Sequence, residues 1–125
     1  LRNYASVYFE NTETKVVFHL SEEAENVSMS PELIRHVFLI AKEALHNVMK
    51  YAYASQVNID FSVEGENYSM RIADNGLGFC ANEIKGTGNG MLNMRKRAGL
   101  IGAKLDIHSE PGKGTTISLS GKIFI

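Results

Sequence analysis

Four groups of residues have the types and spacing to do chemistry. In "YSMRIADNGLGF" the alternation puts Asp74 on the face shared by Tyr68, Met70 and Ile72, because side chains two apart on a strand point the same way. A carboxylate aimed at an apolar layer needs a donor. It can cap the turn "DNGLG", as Asp does routinely. It can also accept from a ligand such as the exocyclic amine of a purine, with Gly76 and Gly78 letting the backbone come close. Thr115 is a second polar group at such an edge, opening a strand on the face of Ile117 and Leu119, where its hydroxyl can equally bond to nearby backbone.

The third group is "KGTGNGMLNMRKRAG", in which Gly86, Gly88 and Gly90 precede a helix starting at Met91. Successive backbone N–H groups leading into a helix N-terminus suit an anion, phosphate above all. The spacing excludes the dinucleotide fingerprint, since Gly90 comes one position early and "CANEIK" before it is no strand. "GKGTT" is no P-loop, because Lys113 is followed by Gly114. The fourth group lies on a helix: Glu43 and Asn47 are four apart and project side by side, with Lys50 continuing the stripe. Oxygen donors so placed suit Mg²⁺, which keeps waters and rides on nucleotide phosphates; a solvated helix face has the same pattern.

The elements that must position these groups follow from periodicity. "KVVFHL", "QVNIDFSV", "YSMRIAD", "AKLDIHS" and "TTISLSGKI" alternate as strands, with turns at "EGEN" and "EPGKG". A long helix starts at Ser30-Pro31, an N-cap followed by proline at the first helical position, and is expected to reach about Tyr51. Its apolar side is read as Ile34, Val37, Phe38, Ala41, Leu45, Val48 and Ala52, with His36, Glu43, Asn47 and Lys50 on another side. The acidic stretch before it is read as loop, and residues 1–10 as a short helical stub. Strands with one apolar face imply a sheet covered by helices on that face alone. The expected fold is a two-layer α/β sandwich with a mixed, mostly antiparallel sheet and about three helices on one face.

Composition bounds the rest. The 125 residues form one domain by length, with 13 basic against 14 acidic side chains. That balance argues against nonspecific nucleic-acid or anionic-membrane binding. A single cysteine, Cys80, cannot form an internal disulfide, which agrees with a cytoplasmic setting. No membrane-span or signal-peptide pattern is present, and the first residue is Leu1, so the chain is expected to be part of something longer.

Taken in order, "EALHNVMKYAYAS", "DNGLGF", "GTGNGMLNMRKRA" and "GKGTT" closely resemble the N box, the two glycine boxes and the terminal Gly-Thr of the GHKL ATPase superfamily. The resemblance is to the ATP-binding domain of bacterial sensor histidine kinases in the short-lid subgroup, of the Bergerat fold, and covers about Pro31 to Ile123. It implies ATP and Mg²⁺ as cofactors: Asn47 as the Mg²⁺-binding asparagine, Glu43 as the polar position one turn earlier, and Lys50 near phosphate. It implies Asp74 as acceptor of the adenine amine over a floor of Gly76 and Gly78, Thr115 close to it, and Gly86, Gly88, Gly90 and Met91 around the phosphates. The mobile lid would run from about Asn75 to Thr87.

The resemblance further implies a phosphorelay in which this domain donates the γ-phosphate to a histidine on a helical dimerisation domain, with a response regulator downstream. None of His19, His36, His46 or His108 has the context of that acceptor, and each is read as a surface or structural residue. Residues 1–10 would link to the missing module. The alternatives are a serine kinase of the anti-sigma-factor type, or a degenerate domain kept for protein interaction.

Overall fold

The computed structural model describes residues 10, 14–49, 54–77 and 90–123. Eight elements follow one another: β1 (Lys15–Leu20), α1 (Glu22–Asn26), α2 (Pro31–Asn47), β2 (Gln56–Glu64), β3 (Asn67–Asp74), α3 (Gly90–Leu100), β4 (Lys104–Glu110) and β5 (Gly114–Lys122). The strands form one sheet in the order β1-β2-β3-β5-β4. Only the β1–β2 pairing is parallel, so the sheet is mixed and mostly antiparallel as expected.

Register turns strand alternation into rows across the inner face. Ile59 pairs with Ile72, Ile72 with Ile117, and Ile117 with Ile107; Phe61, Met70, Leu119 and Leu105 form the next row. Ile59, Met70 and Leu119 have no exposed surface, and each such side chain contributes on the order of 1.5–3 kcal/mol by leaving water. Helices α2 and α3 pack against each other, and Leu33, Ile40, Leu45, Met94 and Ala98 join the same core. On the outer face of edge strand β4, the exposed charges of Lys104, Asp106 and Glu110 are of the kind that discourage edge-to-edge pairing.

Helix α2 departs from expectation in three ways. It ends at Asn47 and continues through Val48 and Met49 as a wider π turn; Tyr51 and Ala52 lie outside the described residues. Its buried arc is Leu33, His36, Val37, Ile40, Ala41, Ala44 and Leu45, while Ile34 is 52% exposed. His36 is therefore not on a solvated stripe: its helical angle lies just beyond that of Ile40, at the edge of the arc that meets the core. Its Nδ1 is buried without a hydrogen-bond partner.

The acidic stretch read as loop is also a helical turn. Ser21 caps α1 by accepting from the N–H of Ala24 and also accepts from the N–H of Val63, so one side chain both starts the helix and ties it to β2. The predicted stub at 1–10 lies outside the described residues except for Glu10. Three helices are thus described, but α1 replaces the stub among them. No helix among the described residues is long and apolar enough to cross a membrane.

Candidate functional site

At one end of the inner face the apolar rows give way to a polar one. Beyond Ile72, Ile117 and Ile107 stand Asp74, two residues later on β3, Thr115, two residues earlier on the antiparallel β5, and Ser109, two residues later on β4. Asp74 is paired with Val57 of β2, and Ser109 with Thr115 of β5. The period-two pattern carries each of these polar groups onto the helix-covered side, as it does the isoleucines.

Asp74 is half-buried, and its Oδ1 accepts from the N–H of Gly76 at 2.8 Å. That is the turn cap. The carboxylate also accepts from the backbone N–H of Thr115, so it bridges the end of β3 and the start of β5. Burial raises its pKa above the ordinary carboxylate value, and the two N–H bonds only partly offset this. No cation among the described residues contributes to the shift. A carboxylate with several lone pairs has capacity left after two bonds, so the cap and a ligand contact are compatible.

The surroundings hold this carboxylate in place. Asn75 Oδ1 accepts from the N–H groups of Ser55 and Gln56, each at 3.0 Å, and its Nδ2 donates to Ser55 Oγ at 2.8 Å. The N–H of Gly112 donates to the carbonyl of Leu77. Residues 75–77 are therefore tied to the sheet, where a mobile lid was expected to begin; the rest of the expected lid lies outside the described residues. Gly114 has φ +82°, and a Cβ there would collide with the backbone carbonyl of Asp74. Only glycine allows β5 to start this close to the end of β3.

Chain connections bring further elements to the same end. β2 starts there, so the C-terminal turn of α2 that leads into it ends there too. α3 feeds the far end of β4, so its N-terminus lies at the Asp74 end. Helices α2 and α3 also pack against each other. Glu43 and Asn47 are half-buried on α2. Glu43 lines a groove of about 310 Å³ with Leu39, Lys42, His46, Asn93, Met94 and Arg97.

The residues singled out in the sequence divide as follows. Asp74, Gly76 and Thr115 are brought into direct hydrogen-bonded or strand-paired proximity. Glu43 and Asn47 sit on α2 as expected, Gly90 is the first residue of α3, and Met91 is half-buried against the core. Lys50, Gly78, Gly86 and Gly88 lie outside the described residues. Sequence reasoning missed Asn75, Gly114 and Ser109. The first two carried a signal, an Asx turn residue after a strand and a glycine before one, whereas Ser109 carried none.

Residues 32–122 match the family described as histidine kinase-, DNA gyrase B-, and HSP90-like ATPase. The sensor histidine kinase LiaS of Bacillus subtilis is 31% identical over 102 residues, covering 82% of this chain and 28% of that protein. The oxygen sensor histidine kinase NreB of Staphylococcus carnosus is 29% identical, covering 94% of this chain and 34% of its own length. The chain thus spans about a third of these relatives. Among solved structures, the blue-light activated histidine kinase of Erythrobacter litoralis superimposes with a TM-score of 0.82 at 20% identity, covering 98% of this chain and 40% of that one.

Proposed function

The chain belongs to the histidine kinase-, DNA gyrase B-, and HSP90-like ATPase family, and from that premise we propose that it is the Mg-ATP-binding catalytic domain of a two-component sensor histidine kinase. It donates the γ-phosphate of ATP to a histidine on a helical domain outside this chain, and a response regulator takes the phosphoryl group onward. Residues 1–125 form one nucleotide-binding unit, with 1–10 leading to the histidine-bearing module.

The observation that carries this reading is Asp74: a half-buried carboxylate, held by two backbone N–H groups, with no cation among the described residues to neutralise it. An adenine amine supplies the missing donor. Guanine offers a carbonyl there, and the mismatch costs about 1–3 kcal/mol as an unmade buried hydrogen bond. Gly76, with Gly78 beyond it, forms the floor beside the base, and Thr115 stands next to Asp74.

The phosphates lie toward the N-terminus of α3, with Gly86, Gly88, Gly90 and Met91 in the role of backbone donors and Lys50 in that of a basic partner. Asn47 supplies an oxygen to Mg²⁺, and Glu43 one turn earlier orients water. Among the described residues no three His, Cys, Asp or Glu side chains converge to cage a metal. The donor set therefore fits an ion that takes most of its ligands from phosphate and water. Bound there, Mg²⁺ neutralises phosphate charge. The protein's part in phosphoryl transfer is mainly positioning, so the isolated domain binds nucleotide but turns it over slowly.

Calorimetry with ATP and GTP, with and without Mg²⁺, tests this. The expected result is Mg²⁺-dependent ATP binding, weak GTP binding, and loss of the Mg²⁺ dependence in Asn47→Ala. Equal affinity for the two nucleotides would overturn the reading.

A further inference from the structure

Ser109 lies at the end of β4 in the row that contains Thr115 and Asp74. Its hydroxyl donates to the backbone carbonyl of Gly114 at 3.2 Å, and it lies 2.8 Å from the hydroxyl of Thr115. A serine hydroxyl has one proton, and a carbonyl oxygen can only accept. Either hydroxyl could donate in the second contact, and the arrangement that keeps the Ser109 proton on Gly114 has Thr115 donating and Ser109 accepting. The Thr115 backbone N–H is already directed at the Asp74 carboxylate. In that arrangement Thr115 meets the site with lone pairs and no proton, beside a carboxylate that also offers only lone pairs.

We propose that Ser109 is a positioning residue that sets nucleobase specificity, by holding the Thr115 hydroxyl as an acceptor. The proposal rests on the reading that the Asp74 end of the sheet receives a purine. A base edge bearing an amino group brings hydrogens to two acceptors. A base edge bearing a carbonyl in the same place brings lone pairs against lone pairs, and a site with its polar groups so committed rejects it. Without the Ser109 hydroxyl, Thr115 loses its acceptor and its hydroxyl rotates freely. It can then donate to a carbonyl, and discrimination falls. Ser109 touches no base itself and acts through Thr115.

The test compares ATP with inosine triphosphate, which differs from it only at the purine edge, where a carbonyl with a protonated neighbouring ring nitrogen replaces the amine. Affinities are measured by calorimetry for the unmodified chain, Ser109→Ala, Ser109→Thr, Thr115→Val and the Ser109→Ala/Thr115→Val pair, with melting curves as a fold control. Ser109→Ala is expected to lower the preference for ATP about threefold to tenfold, the scale of one neutral hydrogen bond, and Ser109→Thr to restore it. In the Thr115→Val background, Ser109→Ala should change the preference by less than about twofold, because the two residues act as one unit. If Ser109→Ala does not fold, Thr115→Val alone must lose a comparable share of the preference.

An unmodified chain that prefers ATP, with Ser109→Ala keeping the same preference, overturns the role of Ser109 alone. The same loss in both Thr115 backgrounds also overturns it, because Ser109 would then act by another route. Equal binding of ATP and inosine triphosphate by the unmodified chain overturns the proposal together with the purine reading.

Discussion

Two ends of one sheet face each hold a polar group at the limit of an apolar ladder. At one end Tyr68 is 1% exposed, its ring stacked on Phe61 with centroids 6.1 Å apart, and its hydroxyl is buried without a partner. A Cβ on the facing Gly121 would meet that hydroxyl at 3.0 Å, so glycine there makes room for the phenol. At the other end Asp74 is half-buried, receives two backbone N–H groups, and stands in a row with Thr115 and Ser109. Burial raises the pKa of both groups.

A raised pKa therefore does not by itself mark a site. For Tyr68 the shift keeps neutral a group that is neutral at physiological pH anyway, and the surrounding packing is closed. For Asp74 it acts on a group whose ionised form is held by oriented donors and keeps acceptor capacity to spare. Donors placed for the charged form, with an open side, separate a binding carboxylate from a core hydroxyl.

That contrast can be broken or sharpened by substitution. The largest effect is expected from Gly114→Ala, which puts a side chain into the left-handed region and against the Asp74 carbonyl. It should lose about 2–4 kcal/mol of stability by denaturant unfolding, with nucleotide affinity falling alongside. Next is Asp74→Asn, which removes the ionised acceptor and should weaken ATP binding about tenfold to a hundredfold by calorimetry, the scale of a hydrogen bond to a charged group. Its melting temperature without nucleotide should not fall, since the desolvated charge goes with the carboxylate.

A smaller effect is expected from pH, and its sign differs between stability and binding. The folded-state pKa of Asp74 is raised, so the folded chain holds this proton more tightly than the unfolded one does. This group's contribution to stability falls as pH rises from the ordinary carboxylate pKa through the raised one. Binding goes the other way: the amine needs the ionised carboxylate, so ATP affinity should fall as pH drops through the raised pKa. Titrating affinity against pH in the native chain and in Asp74→Asn checks this, and the low-pH loss should be absent from the variant. The smallest effect belongs to Tyr68→Phe, which removes an unpartnered hydroxyl and should leave stability equal or higher by about 1 kcal/mol, with ATP affinity unchanged.

Much of this was legible in the chain. The alternation in "YSMRIAD" and "TTISLSGKI" put Asp74 and Thr115 on the buried face, and the structure has them there. Ser30-Pro31 marked the start of α2, where Ser30 accepts from the N–H of Leu33. The misses have physical causes. Ile34 and His36 exchanged surface and interior because a helix with apolar residues around much of its girth leaves its rotation to the partner it packs on. The helical turn α1 escaped because five residues carry too little periodicity, and its cap is stabilised by β2, which is distant in sequence. Asn75 was assigned to a mobile lid because its three side-chain hydrogen bonds go to Ser55 and Gln56, some twenty positions away.

The sequence by itself determined what is local: strands by a period of two, helices by a period of 3.6, turns by glycine, and the face onto which each side chain projects. The order and spacing of its boxes were enough to identify the family. Only the tertiary structure decided which strand lies beside which. Placing β5 between β3 and β4 aligns Asp74, Thr115 and Ser109 into one polar row and makes Gly114 indispensable. Strand order depends on pairing between distant segments, and local pattern carries no record of which partner a hydrogen-bonding edge will meet.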